Sequence, residues 1–243
     1  MKNTMRAIYF IALKDMRAYY FKPPNISWGM LFPLVFILAF YLRHPVGFVQ
    51  LIPGLLCLSL LFSTTSMEAI VITFERMTGT LERLMLYPVS VTVILSGKIA
   101  GGAFFGLTVT TAMLLGLSFI FPLKISNPVV FISSMVISSF TFSALGAFVS
   151  VTVKQVFEAQ TLANLFRFPM IFLSGVFVPV SDLPATVKPL AYLMPLTYSI
   201  DCIKTSLGYR PEIFHPVESL MVLLLFALVF LGLSVRILKD RMS

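Results

Sequence analysis

An all-α polytopic membrane protein is the fold class this sequence predicts, with six transmembrane helices, an N-terminal interfacial helix and two short re-entrant helices before the last span. Three observations lead there. Of 243 residues, 58% are hydrophobic and 12% charged, with a mean hydropathy of +0.96, whereas soluble domains carry about 25% charged residues. Apolar runs long enough to cross a bilayer, which takes about 20 residues each, recur along the chain with short connections between them. Basic residues are divided unequally between alternate connections, as cytoplasmic and outer loops are. Residues 1–243 read as a single membrane domain with no long polar linker.

The opening lacks the pattern of a cleavable signal peptide, because Lys14, Asp15 and Arg17 fall where an apolar core would sit. Met5, Tyr9, Ala12, Leu13, Met16 and Tyr20 recur at helical spacing beside Lys2, Arg6, Lys14 and Arg17. That pattern predicts an amphipathic helix over 1–24 lying in the interface, although Phe10 and Ile11 blur its polar face. Pro23 and Pro24 end it. The first span is expected over 27–42, short at about 24 Å of helix, and is closed by Arg43, His44 and Pro45. A second runs over 50–74 with Glu68 as its one charge, and a third over 94–121 with Lys98 near its start. The fourth covers 129–151. The fifth, 161–178, contains Arg167 and Pro169, which point to a kinked or deeply set helix.

Residues 181–207 are too apolar for a free loop and too interrupted by Pro184, Pro189 and Pro195 for a span. Two short helices dipping into one leaflet fit both facts, with Ser181 or Asp182 capping the first through Met194 and Gly208 ending the second. The sixth span, 216–238, carries Leu223 on its expected lipid-facing side and ends in Arg236, Lys239 and Arg241.

With both termini inside, twelve Lys and Arg fall on the cytoplasmic side and five outside, with Arg167 in the membrane. This split favours a multi-pass protein of the cytoplasmic membrane with both ends cytoplasmic. It also accounts for the net charge of +8 without nucleic acid as a partner; membrane lipids are the expected surroundings. Cys57 and Cys202 support neither a metal site nor a disulfide framework. Gly97 with Gly101, and Gly102 with Gly106, give two G-x-x-x-G spacings suited to close helix packing.

The informative connection follows the second span. Glu75, Arg76, Thr80, Glu82 and Arg83 interrupt the apolar pattern, while Met77, Leu81, Leu84 and Met85 recur within it. An amphipathic helix with one side on the membrane domain and a charged side toward a soluble partner would have this composition, as would a solvated turn carrying topology charges. Glu68 is costly in an apolar run unless paired, protonated or hydrated. It could line a substrate path or a subunit seam, or reach hydrated headgroups. Arg167 has the same choice, with snorkelling as the alternative.

The pattern F-E-R-x-x-G-T-L-E-R-L-x-x-x-P at 74–88, followed by Gly97 and Lys98, resembles the inner-loop signature of ABC-2 type exporter permeases. The later stretch 172–199, with Gly175, Pro179, Leu183, Pro184, Pro195 and Tyr198, resembles the segment that leads into that family's sixth span. The resemblance covers essentially the whole chain. It implies a membrane subunit that pairs with a second copy of itself or a homologous permease and with two ABC ATPase subunits. It also implies a cytoplasmic coupling region at 75–90, carried by Glu75, Arg76, Gly79, Thr80, Leu81, Glu82 and Arg83, and a re-entrant region at 181–207 containing Pro184, Pro189, Pro195 and Tyr198.

No P-loop is present to bind ATP. The one Gly-Lys pair, Gly97 and Lys98, has Thr92 where the first glycine is required and Ile99 in the hydroxyl position. ATP and Mg²⁺ are therefore expected in the partner subunit, and no cofactor, metal or catalytic side chain in this one. An ATP-independent membrane scaffold or anchor is the alternative from another functional class.

Overall fold

The computed structural model describes residues 2–22, seven residues between 31 and 42, and 48–241. The first expected span, 27–42, falls mostly outside the described residues, as do Arg43, His44 and Pro45. The described elements are α1 (Lys2–Asp15), continued by a wider π-helical turn (Met16–Tyr20), α2 (Phe48–Met77), α3 (Thr80–Met85), α4 (Val91–Ile120) and α5 (Pro128–Thr152). They continue with α6 (Val156–Leu173), a 3-10 turn (Val180–Asp182), α7 (Lys188–Tyr192), α8 (Pro195–Ser206) and α9 (Pro216–Asp240).

Among the described residues, four helices are long and apolar enough to cross a membrane: α2, α4, α5 and α9. The expectation of six is thus met by four. α6 has 18 residues, about 27 Å of rise, but Glu158, Gln160, Asn164 and Arg167 dilute its apolar character. Its bounds also differ from the expected 161–178. Gln155 stands at its start, Glu158 accepts the backbone N–H groups of Lys154 (2.9 Å) and Gln155 (3.3 Å), and the helix is over before Gly175 at φ +85°. α2 and α4, at 30 residues each, are about 45 Å long and outreach a hydrocarbon core of about 30 Å.

α2 is the central helix, packed by α4, α5, α6 and α8. Buried hydroxyls on it turn back onto the helix: Ser63 donates to the Ser59 carbonyl and Thr64 to the Leu60 carbonyl, both at 2.7 Å. Leu55, Leu58 and Leu61 meet Phe142, Leu145, Ile171 and Ile200 in the main core. A second core at the loop end joins Ile11, Ile72, Leu81, Ile94, Val151 and Leu238. Ser90 caps α4 by accepting from Val93 N (3.4 Å), and Asn127 caps α5 by accepting from Val130 N (3.2 Å) ahead of Pro128.

Two expectations about faces and bounds are corrected, on α9 and in 181–207. On α1, Met5 and Tyr9 are exposed, while Ile11, Ala12 and Asp15 are buried. The helix packs on α4, where the notches at Gly97 and Gly101 admit Ile11 and Ala12. On α9, Leu223 is buried and its carbonyl accepts the Thr141 hydroxyl at 3.0 Å; Leu224, Leu225 and Leu228 are the exposed residues. In 181–207, no helix runs from Asp182 to Met194. Leu183 is extended at ψ 147°, as a residue before proline prefers, and Pro184 has no N–H to continue a helix. Two short helices, α7 and α8, follow instead.

Candidate functional site

Lys98 lies in the second turn of α4, inside an apolar run, and its side chain is fully buried. An unpaired ammonium there would be strongly unfavourable. It donates to Asp15 Oδ2 at 2.9 Å and also to Glu75 Oε2. Lys14 completes the set from the half-exposed edge, reaching Glu75 Oε1 at 2.5 Å and Asp15 Oδ1 at 2.8 Å. Two cations and two carboxylates from α1, α2 and α4 thus form one neutral cluster beside the loop at 78–90. Burial pulls the Lys14 ammonium down, but the Asp15 and Glu75 carboxylates outweigh it and hold it above its ordinary range.

Two turns before Glu75 along α2, Glu68 faces the same neighbours. Its Oε1 accepts the Tyr20 hydroxyl at 2.6 Å, and Tyr20 is itself buried against Phe105, ring centroids 5.7 Å apart. Glu68 is fully enclosed, so it is not hydrated at the headgroups. Gly102 makes room for it: a Cβ there would come within 2.7 Å of Glu68 Cγ. Gly106 does the same for Thr64. The two glycine spacings are therefore used within the chain, Gly97 and Gly101 toward α1, Gly102 and Gly106 toward α2.

The loop itself turns at Gly79, whose φ of +70° ends α2 and starts α3. Thr78 and Thr80 hydroxyls meet at 3.0 Å. Leu81 is buried in the second core, while Glu82, Arg83, Leu86 and Tyr87 face out. Of the residues expected on the charged face, Glu82 and Arg83 are there. Glu75 is not; it is buried in the cluster. Arg76 turns away to α5, donating to the carbonyls of Val153 and, at 3.5 Å, Val151, which supplies a cation and donors to a helix C-terminus.

Arg167 neither snorkels nor joins the other charges. It is buried on α6, donates to Asn164 Oδ1 at 3.2 Å, and lies over the Phe62 ring at 5.0 Å. Pro184 O accepts Val187 N and Lys188 N (2.9 and 3.1 Å), Pro189 opens α7, and Pro195 opens α8. Tyr198 hydrogen-bonds the Tyr192 carbonyl at 2.7 Å, joining the two short helices.

Asp15, Lys14 and Tyr20 are site residues to which sequence reasoning gave no site role, and Lys98 was read only as part of the inner-loop signature. Lys98 carried a signal, being a charge inside an apolar run as Glu68 is. Among the described residues, no group of three or more His, Cys, Asp or Glu could hold a metal ion.

Residues 6–207 match the family model of the ABC-2 type transporter. Nodulation protein J of Sinorhizobium fredii (strain NBRC 101917 / NGR234) is 30% identical over 217 residues, 86% of this chain and 82% of that protein. Inner membrane transport permease YadH of Escherichia coli (strain K12) is 26% identical over 162 residues, 65% of this chain and 62% of that one. Probable multidrug ABC transporter permease YbhS of the same strain is 26% identical over 211 residues, 83% of this chain and 55% of that one. With a family match that begins in α1 and ends just past α8, and so takes in the charge cluster, the loop helix and the paired short helices alike, the chain belongs to the ABC-2 type transporter family.

Proposed function

We propose that this chain is the membrane-spanning half of an ATP-binding cassette exporter, moving a substrate out across the cytoplasmic membrane with work supplied by separate ATPase subunits. The family membership supports the permease role. The observation that carries the mechanism is the mounting of α3: Leu81 anchors it in the core, Glu82, Arg83, Leu86 and Tyr87 face outward, and the helix it follows, α2, is clamped through Glu75 to α1 and α4. A partner pressing on Gly79, Thr80, Glu82 and Arg83 would push on three helices at once. Glu75 and Arg76 then serve as the clamp behind the docking surface.

In this reading there are six spans, the first over 27–42 and the fifth formed by α6, and α7 and α8 dip into the outer leaflet. Both termini and α3 are cytoplasmic. ATP and Mg²⁺ act in the ATPase subunits, and a second copy or a homologous permease completes the translocation path, with Glu68 and Arg167 set in the bundle walls.

The test pairs copurification with the ATPase subunit and nucleotide-dependent transport in proteoliposomes. Retention of the ATPase with transport that requires ATP is expected. A purified chain that binds no ATPase would instead favour a scaffold. For orientation, cysteines at positions 124 and 188 should label from outside intact cells and one at position 80 should not; labelling at 80 would overturn the topology.

A further inference from the structure

α1 ends in a turn wider than the helix before it. Phe21 N donates to Met16 O at 3.2 Å, a bond that reaches back five residues instead of four. Its effect on the side chains follows from the helical repeat. Ile11, Ala12 and Asp15 set the buried face of α1. At about 100° per residue, a regular helix would next bring Tyr19 to about 40° from Asp15 and leave Tyr20 about 140° away. The observed order is the reverse. Tyr20 is fully buried, its ring against Phe105 and its hydroxyl on Glu68 Oε1 at 2.6 Å. Tyr19 stays partly exposed at the edge of the cluster that Tyr20 forms with Met67, Val71, Phe105 and Val109. One extra residue in the turn decides which tyrosine is inside.

Tyr19 has its own hold on α2. It hydrogen-bonds the Glu75 side chain, and its ring meets Phe74 edge-on at 6.1 Å. Adjacent phenols on one turn thus grip two carboxylates of α2, Glu75 and Glu68. The Glu68 seat suits either phenol: it receives one hydroxyl at Oε1, Oε2 accepts nothing among the described residues, and Gly101 and Gly102 leave α4 open beside the ring and the carboxylate. A switching element needs two discrete arrangements close in free energy, and here a phenol would sit on Glu68 in both. We propose that Met16–Tyr20 is a one-residue register switch. Tyr20 occupies Glu68 in the wide turn, Tyr19 replaces it when the turn tightens to a regular helix, and the chain beyond Tyr20 rotates by about 100° with the exchange. Tyr19 is free to move once it leaves Glu75 and Phe74, at the end of α2 that leads into α3. That the rotation is delivered to a membrane span rests on the span proposed over 27–42; the exchange of tyrosines does not.

The experiment is fluorine NMR of the purified full chain in lipid nanodiscs, with fluorotyrosine placed at position 19 or at position 20. A fluorine in contact with solvent shifts between H2O and D2O and a buried one does not, so the spectra read which ring is inside. In the unmodified protein the label at 20 should be buried and the label at 19 should touch solvent. Tyr20→Phe removes the donor to Glu68 and should carry the label at 19 to the buried signal, changing the ratio of buried to solvent-touching intensity by about tenfold or more, as loss of a hydrogen bond to a carboxylate would. Tyr9→Phe, on the exposed side of α1, should leave both signals in place. Deleting Ala18 sets Tyr20 four residues after Asp15, so that a regular helix carries it to Glu68; this variant should fold with the label at 20 buried. A label at 19 that stays in contact with solvent in Tyr20→Phe overturns the proposal. If Tyr20→Phe does not fold, the deletion decides: a buried label at 20 supports the switch, and a chain that unfolds or exposes that label overturns it. No ATPase or sidedness enters these spectra, so their failure leaves the transport reading standing, and a failed copurification leaves the exchange standing.

Discussion

Replacing Lys98 by methionine keeps the volume of a long unbranched side chain and removes the cation that Asp15 and Glu75 share. The two carboxylates stay buried with only Lys14 nearby, and Lys14 is 37% exposed. The four-charge cluster goes from neutral to a net charge of −1. Breaking a buried pair in this way is destabilising by about 3–5 kcal/mol. At about 2–4 °C per kcal/mol for chains of this size, Tm should fall by about 6–20 °C. The assay is fluorescence-detected size exclusion after heating in detergent, compared at equal membrane abundance. A second variant separates charge from packing: Asp15→Asn, Glu75→Gln and Lys98→Met together remove the three fully buried charges, leave only the half-exposed Lys14 ammonium, which can turn to solvent, and should recover most of the lost Tm, because neutral replacement of buried charges is often tolerated. If Lys98→Met melts within about 2 °C of the unmodified protein, or the triple variant melts below it, the cluster does not stabilise the fold in the way argued.

Three other outcomes are expected. Gly102→Ala should lower Tm because its Cβ would collide with Glu68, while Gly116→Ala and Gly232→Ala, with nothing within 4 Å, should not. Leu223→Ala should be destabilising by about 2–5 kcal/mol as a buried truncation, and Leu224→Ala, at an exposed position, by much less; parallel melting curves check the pair. Charge reversal at Glu82 and Arg83 should reduce ATPase pull-down with little change in Tm, whereas Glu75→Lys should lower Tm first, since one residue pair is exposed and the other position is buried.

The four long helices were legible in the sequence because their ends carry strong signals. Expected and observed bounds agree within three residues, with Asn127 and Pro128 opening α5, His215 and Pro216 opening α9, and Gly79 closing the turn after α2. Faces were harder to read. A lipid-facing leucine and a protein-facing one are equally apolar, so periodicity carries little information inside a membrane. Leu223 was therefore assigned to the wrong side of α9. The glycine spacings did mark tight packing, but which helix fills each notch depends on tertiary contacts that local pattern does not contain. The same holds for the charges: Glu68 and Arg167 stood out as buried ions, yet the partner of Lys98 lies 83 residues away. Glu75 looked exposed because its neighbours Arg76, Glu82 and Arg83 are charged, while its actual surroundings come from α1 and α4.

That separation of 83 residues between Asp15 and Lys98 also sets an order of events during synthesis. At about 5–20 residues per second, Lys98 leaves the ribosome roughly 4–17 seconds after Asp15. For that interval α1 has no glycine notches to enter and Asp15 no buried cation to meet, so the helix cannot reach its final place before α4 is made. Glu75 is made before Lys98 as well. When α4 is made, both carboxylates have already been synthesised and can receive its ammonium. The first helix of the chain thus docks only once α2 and α4 have both been made, and the Lys98 ammonium on α4 is neutralised by segments that preceded it.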